Sequence, residues 1–163
     1  MKKNVIGLML IAPLFFVGIA MLQKTQNPNI VIFFVDDMGY ADLGSFGNPY
    51  IRTPNLDRMA LEGQRWTDFY VSAPVCSPSR GSLMTGQVPV RSGLYGERIH
   101  VLFPNDRYGM PDSAFTMAEA LKGAGYSTGI FGKWHLGDAP ETFPTRHGFD
   151  YWFGIPYSND MNS

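Results

Sequence analysis

Asn29-Ile30-Val31-Ile32-Phe33-Phe34-Val35 is an unbroken apolar, β-branched run that stops abruptly at Asp36-Asp37-Met38-Gly39-Tyr40. It has a strand's length and no polar alternation, the pattern of a strand buried on both faces. Strands of that kind belong to parallel sheets covered by helices, so the run predicts an α/β architecture. The segments that follow keep the same rhythm. Thr53 to Gly63 predicts a helix capped by Thr53 and started by Pro54, with Leu56, Met59 and Ala60 on one apolar face and Gly63 as its end. Gln64 to Val71 predicts a strand with Phe69 and Val71 turned inward. Thr116-Met117-Ala118-Glu119 is a capping box, and Met117, Ala120, Leu121 and Ala124 continue a helical stripe closed by Gly123 and Gly125. Tyr126 to Phe131 predicts the next short strand.

Polar groups emerge where two of these strands end. Open α/β sheets place their ligands at the carboxyl ends of strands, which makes both clusters candidates for chemistry. Asp36 and Asp37 carry oxygen donors suited to a hard divalent cation. An Asx turn that closes the strand explains the same pair equally well. The second cluster is Gly132-Lys133-Trp134-His135-Leu136-Gly137. In extended geometry Lys133 and His135, two apart, point to the same side and can face one anion. A Lys-x-His pair taken alone is usually a surface feature, and Trp134 reads as packing.

Between these clusters lies Val75-Cys76-Ser77-Pro78-Ser79-Arg80-Gly81-Ser82-Leu83-Met84-Thr85-Gly86. Ser77 reads as an N-cap, Pro78 as the first helical residue and Gly86 as the stop about two turns on. That places Cys76 just outside a helix N-terminus, where unpaired amides and the macrodipole favour an anion. Arg80 adds a planar cation in the first turn. The plainer reading of Cys76 is a small buried core residue.

Cys-x-Pro-Ser-Arg followed by Gly-Ser-Leu-Met-Thr-Gly resembles the signature of formylglycine-dependent (type I) sulfatases. The Asp36-Asp37 pair and the Gly-Lys-Trp-His-Leu-Gly block match the same family, in family order. Trp152 to Asp160 is similar to its arylsulfatase A branch. The resemblance runs from Asn29 to about Asp160 and implies an α/β, alkaline-phosphatase-like sandwich around a mostly parallel sheet, of which this chain is the N-terminal part. It implies that a maturase oxidises Cys76 to formylglycine (3-oxoalanine), whose hydrate attacks sulfur with one hydroxyl and releases sulfate with the other. Asp36, Asp37 and the formylglycine at Cys76 are then ligands of one Ca²⁺, with Mg²⁺ as the alternative ion. Lys133 contacts sulfate and formylglycine, Arg80 supports the nucleophile, His135 bonds the diol and assists sulfate release, and Ser158 lies beside the substrate sulfate. The substrate class implied is a sulfate ester, small or carried on a glycan.

Met1 to about Leu22 has Lys2 and Lys3 ahead of an uncharged run from Val5 to Leu22, and Gly18-Ile19-Ala20 offers a small-x-small cleavage site. This reads as a secretory signal, and so as an exported protein, periplasmic or extracellular. An uncleaved anchor is the rival, because the run nearly spans a bilayer, and only then is a membrane a partner. Residues 23–28 form a polar spacer and 29–163 the catalytic portion. A formal charge of -1 gives no reason to expect nucleic acid, and the single cysteine excludes an internal disulfide.

Gln87 to Asp112 is rich in Pro, Gly and Arg and reads as a surface loop. Tyr95, His100 and Phe103 could line a cleft there, with Arg91, Arg98 and Arg107 greeting an anion; as single residues each reads as ordinary loop. His147 looks structural. The family's second metal-binding Asp/Asn pair, its leaving-group acid and its second sulfate-binding lysine have no counterpart in these residues. Two other activities stay open beside sulfate ester hydrolysis. One is phosphonate monoester or phosphodiester hydrolysis on the same aldehyde, and the other is a non-catalytic exported binding domain.

Overall fold

The computed structural model describes residues 27–96 and 100–161. The leader at 1–22, most of the spacer, and Arg98 lie outside the described residues. The chain divides into two compact units, up to Arg65 and from Trp66 onward, and each is taken by itself.

The first unit is built around α1, Pro54–Glu62. Its Thr53 makes no side-chain cap bond of the expected kind. The hydroxyl instead accepts from Gly44 N at 2.8 Å and donates to Asp57 Oδ1 at 2.8 Å. Asp57 Oδ1 also accepts from Ser45 N at 2.6 Å, so the helix start holds the short 3₁₀ turn Gly44–Phe46. A second 3₁₀ turn, Tyr40–Asp42, precedes it, and Asp42 secures its start by accepting from Gly39 N at 2.7 Å.

The run from Asn29 to Val35 forms no strand, and Ile30, Val31, Ile32, Phe33 and Val35 are exposed. A ladder needs a neighbour to supply its hydrogen bonds, and the described part of this unit contains no other strand. For want of a covering layer, Leu56 and Met59 of α1 are exposed as well.

In the second unit, residues 66–71 also stay outside any strand, with Phe69 and Val71 exposed. The helix α2, Cys76–Thr85, ends at Gly86, whose φ of 67° is the left-handed stop that glycine adopts without strain. The capping box opens α3, Met117–Gly123: Thr116 Oγ1 accepts from Glu119 N at 3.2 Å, and Glu119 Oε2 accepts from Thr116 N at 2.7 Å. β1, Gly129–Phe131, is shorter than its expected span and pairs in parallel with β2, Tyr151–Phe153, with Ile130 opposite Trp152.

Pairing continues past the strands and carries the next segment with it. Trp134 N donates to the Ile155 carbonyl at 3.0 Å and His135 N to that of Pro156 at 2.8 Å. Gly154 lies so close to Gly132 that a Cβ would fall on the Gly132 carbonyl. Ile130 and Trp152 turn towards a core of Met84, Leu94, Leu102, Met110, Ala118, Trp134, Leu136, Phe149 and Tyr157, while Phe131, Tyr151 and Phe153 face outward. Leu94, Leu102 and Met110 come from the stretch expected to be a solvated loop. Single apolar anchors separated by Gly and Pro bury without periodicity, so patterning does not detect them.

Candidate functional site

Cys76 is the first residue of α2, which starts two residues earlier than expected. The cap is Val75, extended at φ −127° and without a side-chain bond. Cys76 therefore stands among the first-turn amides that have no intrahelical acceptor, and it is half-buried. Lys133 Nζ donates to Cys76 Sγ at 3.3 Å. The Arg80 guanidinium, one turn along the same helix, donates through Nη1 to the Lys133 carbonyl at 2.7 Å. The helix thus presents the thiol to the lysine and grips the backbone that carries it. Arg80 is expected to face an anion, and one bond it makes here is to the main chain.

His135 departs from the expected geometry. Its φ is 61°, in the left-handed region, so alternation of side chains does not extend from Lys133 to His135. The ring is fully buried, edge-on to Tyr157 at 5.2 Å, with Nε2 2.9 Å from the Leu102 carbonyl. Leu102 N in turn donates to Ser77 Oγ at 3.0 Å. Ser77, read from sequence as the helix cap, instead spends its hydroxyl on this distant peptide. Nothing local in the sequence signals that partner, 25 residues away.

The Tyr157 hydroxyl has its pKa pushed up, first by burial and then by the Asp138 carboxylate. His147 is buried against Trp134, the rings stacked at 6.2 Å, and burial lowers its pKa. Both facts fit packing roles, as does the Trp134 Nε1 bond to the Thr142 carbonyl at 2.8 Å. Ser158 is half-buried at the start of the turn Asn159–Met161 and its carbonyl accepts from Met161 N at 3.1 Å. No hydrogen bond joins it to Cys76 among the described residues.

Asp36 and Asp37 belong to the first unit and Cys76 to the second. Both carboxylates are exposed, and Asp37 sits at φ 51°, a conformation that Asp tolerates better than most residues. Two adjacent carboxylates fit a hard cation in donor chemistry and fall short of its about six to eight oxygens. Among the described residues no group of three or more His, Cys, Asp or Glu could hold a metal ion.

The sulfatase family model matches residues 28–163. The chain is 52% identical over 142 residues to arylsulfatase A of Bos taurus, covering 86% of this chain and 27% of that protein. It is 48% identical over 143 residues to N-acetylgalactosamine-6-sulfatase of Sus scrofa, covering 85% and 27%. The solved structure of PsFucS1 sulfatase from Pseudoalteromonas sp. is similar with a TM-score of 0.74 at 34% identity, covering 90% of this chain and 29% of that one. Ps i-CgsB in complex with k-i-k-neocarrahexaose is similar with a TM-score of 0.75 at 38% identity, covering 82% and 29%. The chain spans 27% of the length of each of these two curated relatives. Its α/β architecture is that of the N-terminal part of an alkaline-phosphatase-like sandwich.

Proposed function

Because the chain belongs to the sulfatase family, we propose that it is the N-terminal part of an exported hydrolase that cleaves sulfate esters with an activated Cys76. The observation that carries this reading is the contact between Lys133 Nζ and Cys76 Sγ, 3.3 Å apart, with Arg80 bonded to the same lysine's carbonyl. A cation beside the motif cysteine at a helix N-terminus suits a group that must gather and release an anion.

Formylglycine made from Cys76 by a maturase would supply a hydrated aldehyde, with one hydroxyl as nucleophile and a second for release. Asp36, Asp37 and that residue would hold a divalent cation, Ca²⁺ or Mg²⁺, which would supply Lewis-acid polarisation of the sulfate. Lys133 offsets charge on the sulfate and at the nucleophile. Arg80 holds Lys133 in reach through its main chain. His135 exchanges a proton with the nucleophile's hydroxyl, and Ser158 contributes to the sulfate subsite. The names of the relatives and the carbohydrate-bound neighbour support a sulfate ester on a small alcohol or a glycan as substrate.

The test is the mass of the tryptic peptide containing Cys76, from full-length protein made in its native host. A loss of about 18 Da, –CH₂SH becoming –CHO, is expected, together with turnover of an aryl sulfate that Cys76→Ala abolishes. Retained turnover in that variant would sink the mechanism. Faster turnover of a phosphodiester would redirect the substrate class, and an unmodified thiol would favour a binding domain.

A further inference from the structure

We propose that Ser77 is a positioning residue which, through the peptide of Leu102, sets the tautomer and ring orientation of His135. The part of His135 in the reaction rests on the sulfatase reading above; the hydrogen-bonded chain itself rests on geometry. Ser77, Leu102 and His135 are buried, at 0%, 1% and 0% exposure, so no bond in this chain is exchanged cheaply with water.

The Leu102 peptide is held at both ends, its N–H by Ser77 Oγ at 3.0 Å and its carbonyl by His135 Nε2 at 2.9 Å. A peptide carbonyl only accepts, so the second contact is a hydrogen bond when Nε2 carries the proton. In the neutral ring Nδ1 is then the basic nitrogen, the atom at which a proton is taken up or returned. Flipping the ring would set a C–H against the carbonyl and lose the bond in a buried site. The His135 amide is bonded to the Pro156 carbonyl at 2.8 Å and the ring abuts Tyr157. Backbone, ring edge and Nε2 together leave one orientation.

Ser77 is the member of this chain whose removal propagates. Without its hydroxyl the Leu102 N–H is buried and unsatisfied, and the peptide must turn or shift to recover a partner. Either movement takes the carbonyl away from Nε2. Because Ser77 follows Cys76 in the first turn of α2, one turn of helix sets both the cysteine and, through Leu102, the histidine.

The experiment uses full-length protein with ¹⁵N-labelled histidine, the His135 signals being assigned by their loss in His135→Gln. Wild type is expected to show the Nε2–H tautomer at neutral pH, and Ser77→Ala a mixture of tautomers. Turnover of an aryl sulfate, normalised to the converted fraction of Cys76, should fall in Ser77→Ala by about tenfold or more in kcat with KM little changed. Ser77→Thr, which keeps the hydroxyl, should keep the wild-type tautomer. An Nδ1–H tautomer in wild type overturns the proposal even if Ser77→Ala fails to fold. So does a Ser77→Ala protein with wild-type tautomer and wild-type turnover. Converted wild-type protein that hydrolyses no sulfate ester would sink the sulfatase reading instead, and the tautomer spectra would still decide the role of Ser77.

Discussion

Arg80 Nη1 donates to the backbone carbonyl of Lys133 at 2.7 Å, across 53 residues of chain. Lys133 in turn reaches Cys76 Sγ at 3.3 Å, and Cys76 and Arg80 lie on the same helix. The contacts form a loop in which the helix bearing Cys76 also holds the backbone of the lysine that reaches it. In the proposed mechanism Arg80 acts on Lys133 through position.

Arg80→Lys should break this loop while keeping the charge. A lysine ammonium is a flexible point donor and does not reproduce a guanidinium fork. The loss of a charge-assisted bond predicts a cost of about 1–2 kcal/mol in unfolding free energy and a fall of about tenfold in kcat. Urea unfolding and aryl sulfate turnover of the full-length variant check both. Unchanged stability with unchanged turnover would show that the grip on Lys133 is unimportant.

Thr116→Ala should destabilise without touching the chemistry. The hydroxyl accepts from Glu119 N and also donates to the buried His147 carbonyl at 2.8 Å. Losing a cap costs about 1 kcal/mol and the buried bond about another 1 kcal/mol. Denaturant midpoints should drop accordingly, and Thr116→Ser should recover most of the loss. Turnover per folded molecule should match wild type in both variants.

The pH response of one ion pair can be followed directly. Lys122 Nζ lies 2.6 Å from Asp150 Oδ1, and this pair, with the Thr128 amide next in importance, lowers the Asp150 pKa from 3.8 to about 2. A depressed carboxyl stabilises the fold above its ordinary pKa and loses that contribution as pH falls through the folded value. The window is thus about 3.8 down to about 2. The side chains are 54% and 29% exposed, so solvent screens the pair and its contribution is small. Lys122→Met should move the Asp150 midpoint, read by NMR of its carboxyl carbon, up towards 3.8. A midpoint that stays near 2 would assign the shift to Thr128.

Features closed within a few residues were legible. The Thr116–Glu119 box and the Gly86 stop satisfy their own backbone groups locally, and Pro54 at a helix start has no N–H to satisfy, so type and spacing suffice to find them. Features closed over distance were not. The Asn29–Val35 run carries the composition of a buried strand, yet a strand exists only when another supplies its ladder. β2 went unread, although Tyr151-Trp152-Phe153 has the aromatic content of a strand. Ser77 looked like a cap because its local context is that of a cap, while its partner is Leu102.

The site divides along the same line. Sequence alone singled out the groups proposed here for the chemistry: Cys76, Arg80, Lys133 and His135 in blocks, with Asp36 and Asp37 after an apolar run. It determined the family too, since those blocks are residue types at set spacing. Tertiary structure alone decided how the groups of the second unit meet. Lys133 faces Cys76 and Arg80 takes a main-chain carbonyl, while a left-handed φ at His135 turns its ring into the core. Those outcomes depend on bonds between segments tens of residues apart, and short-range pattern carries no information about them.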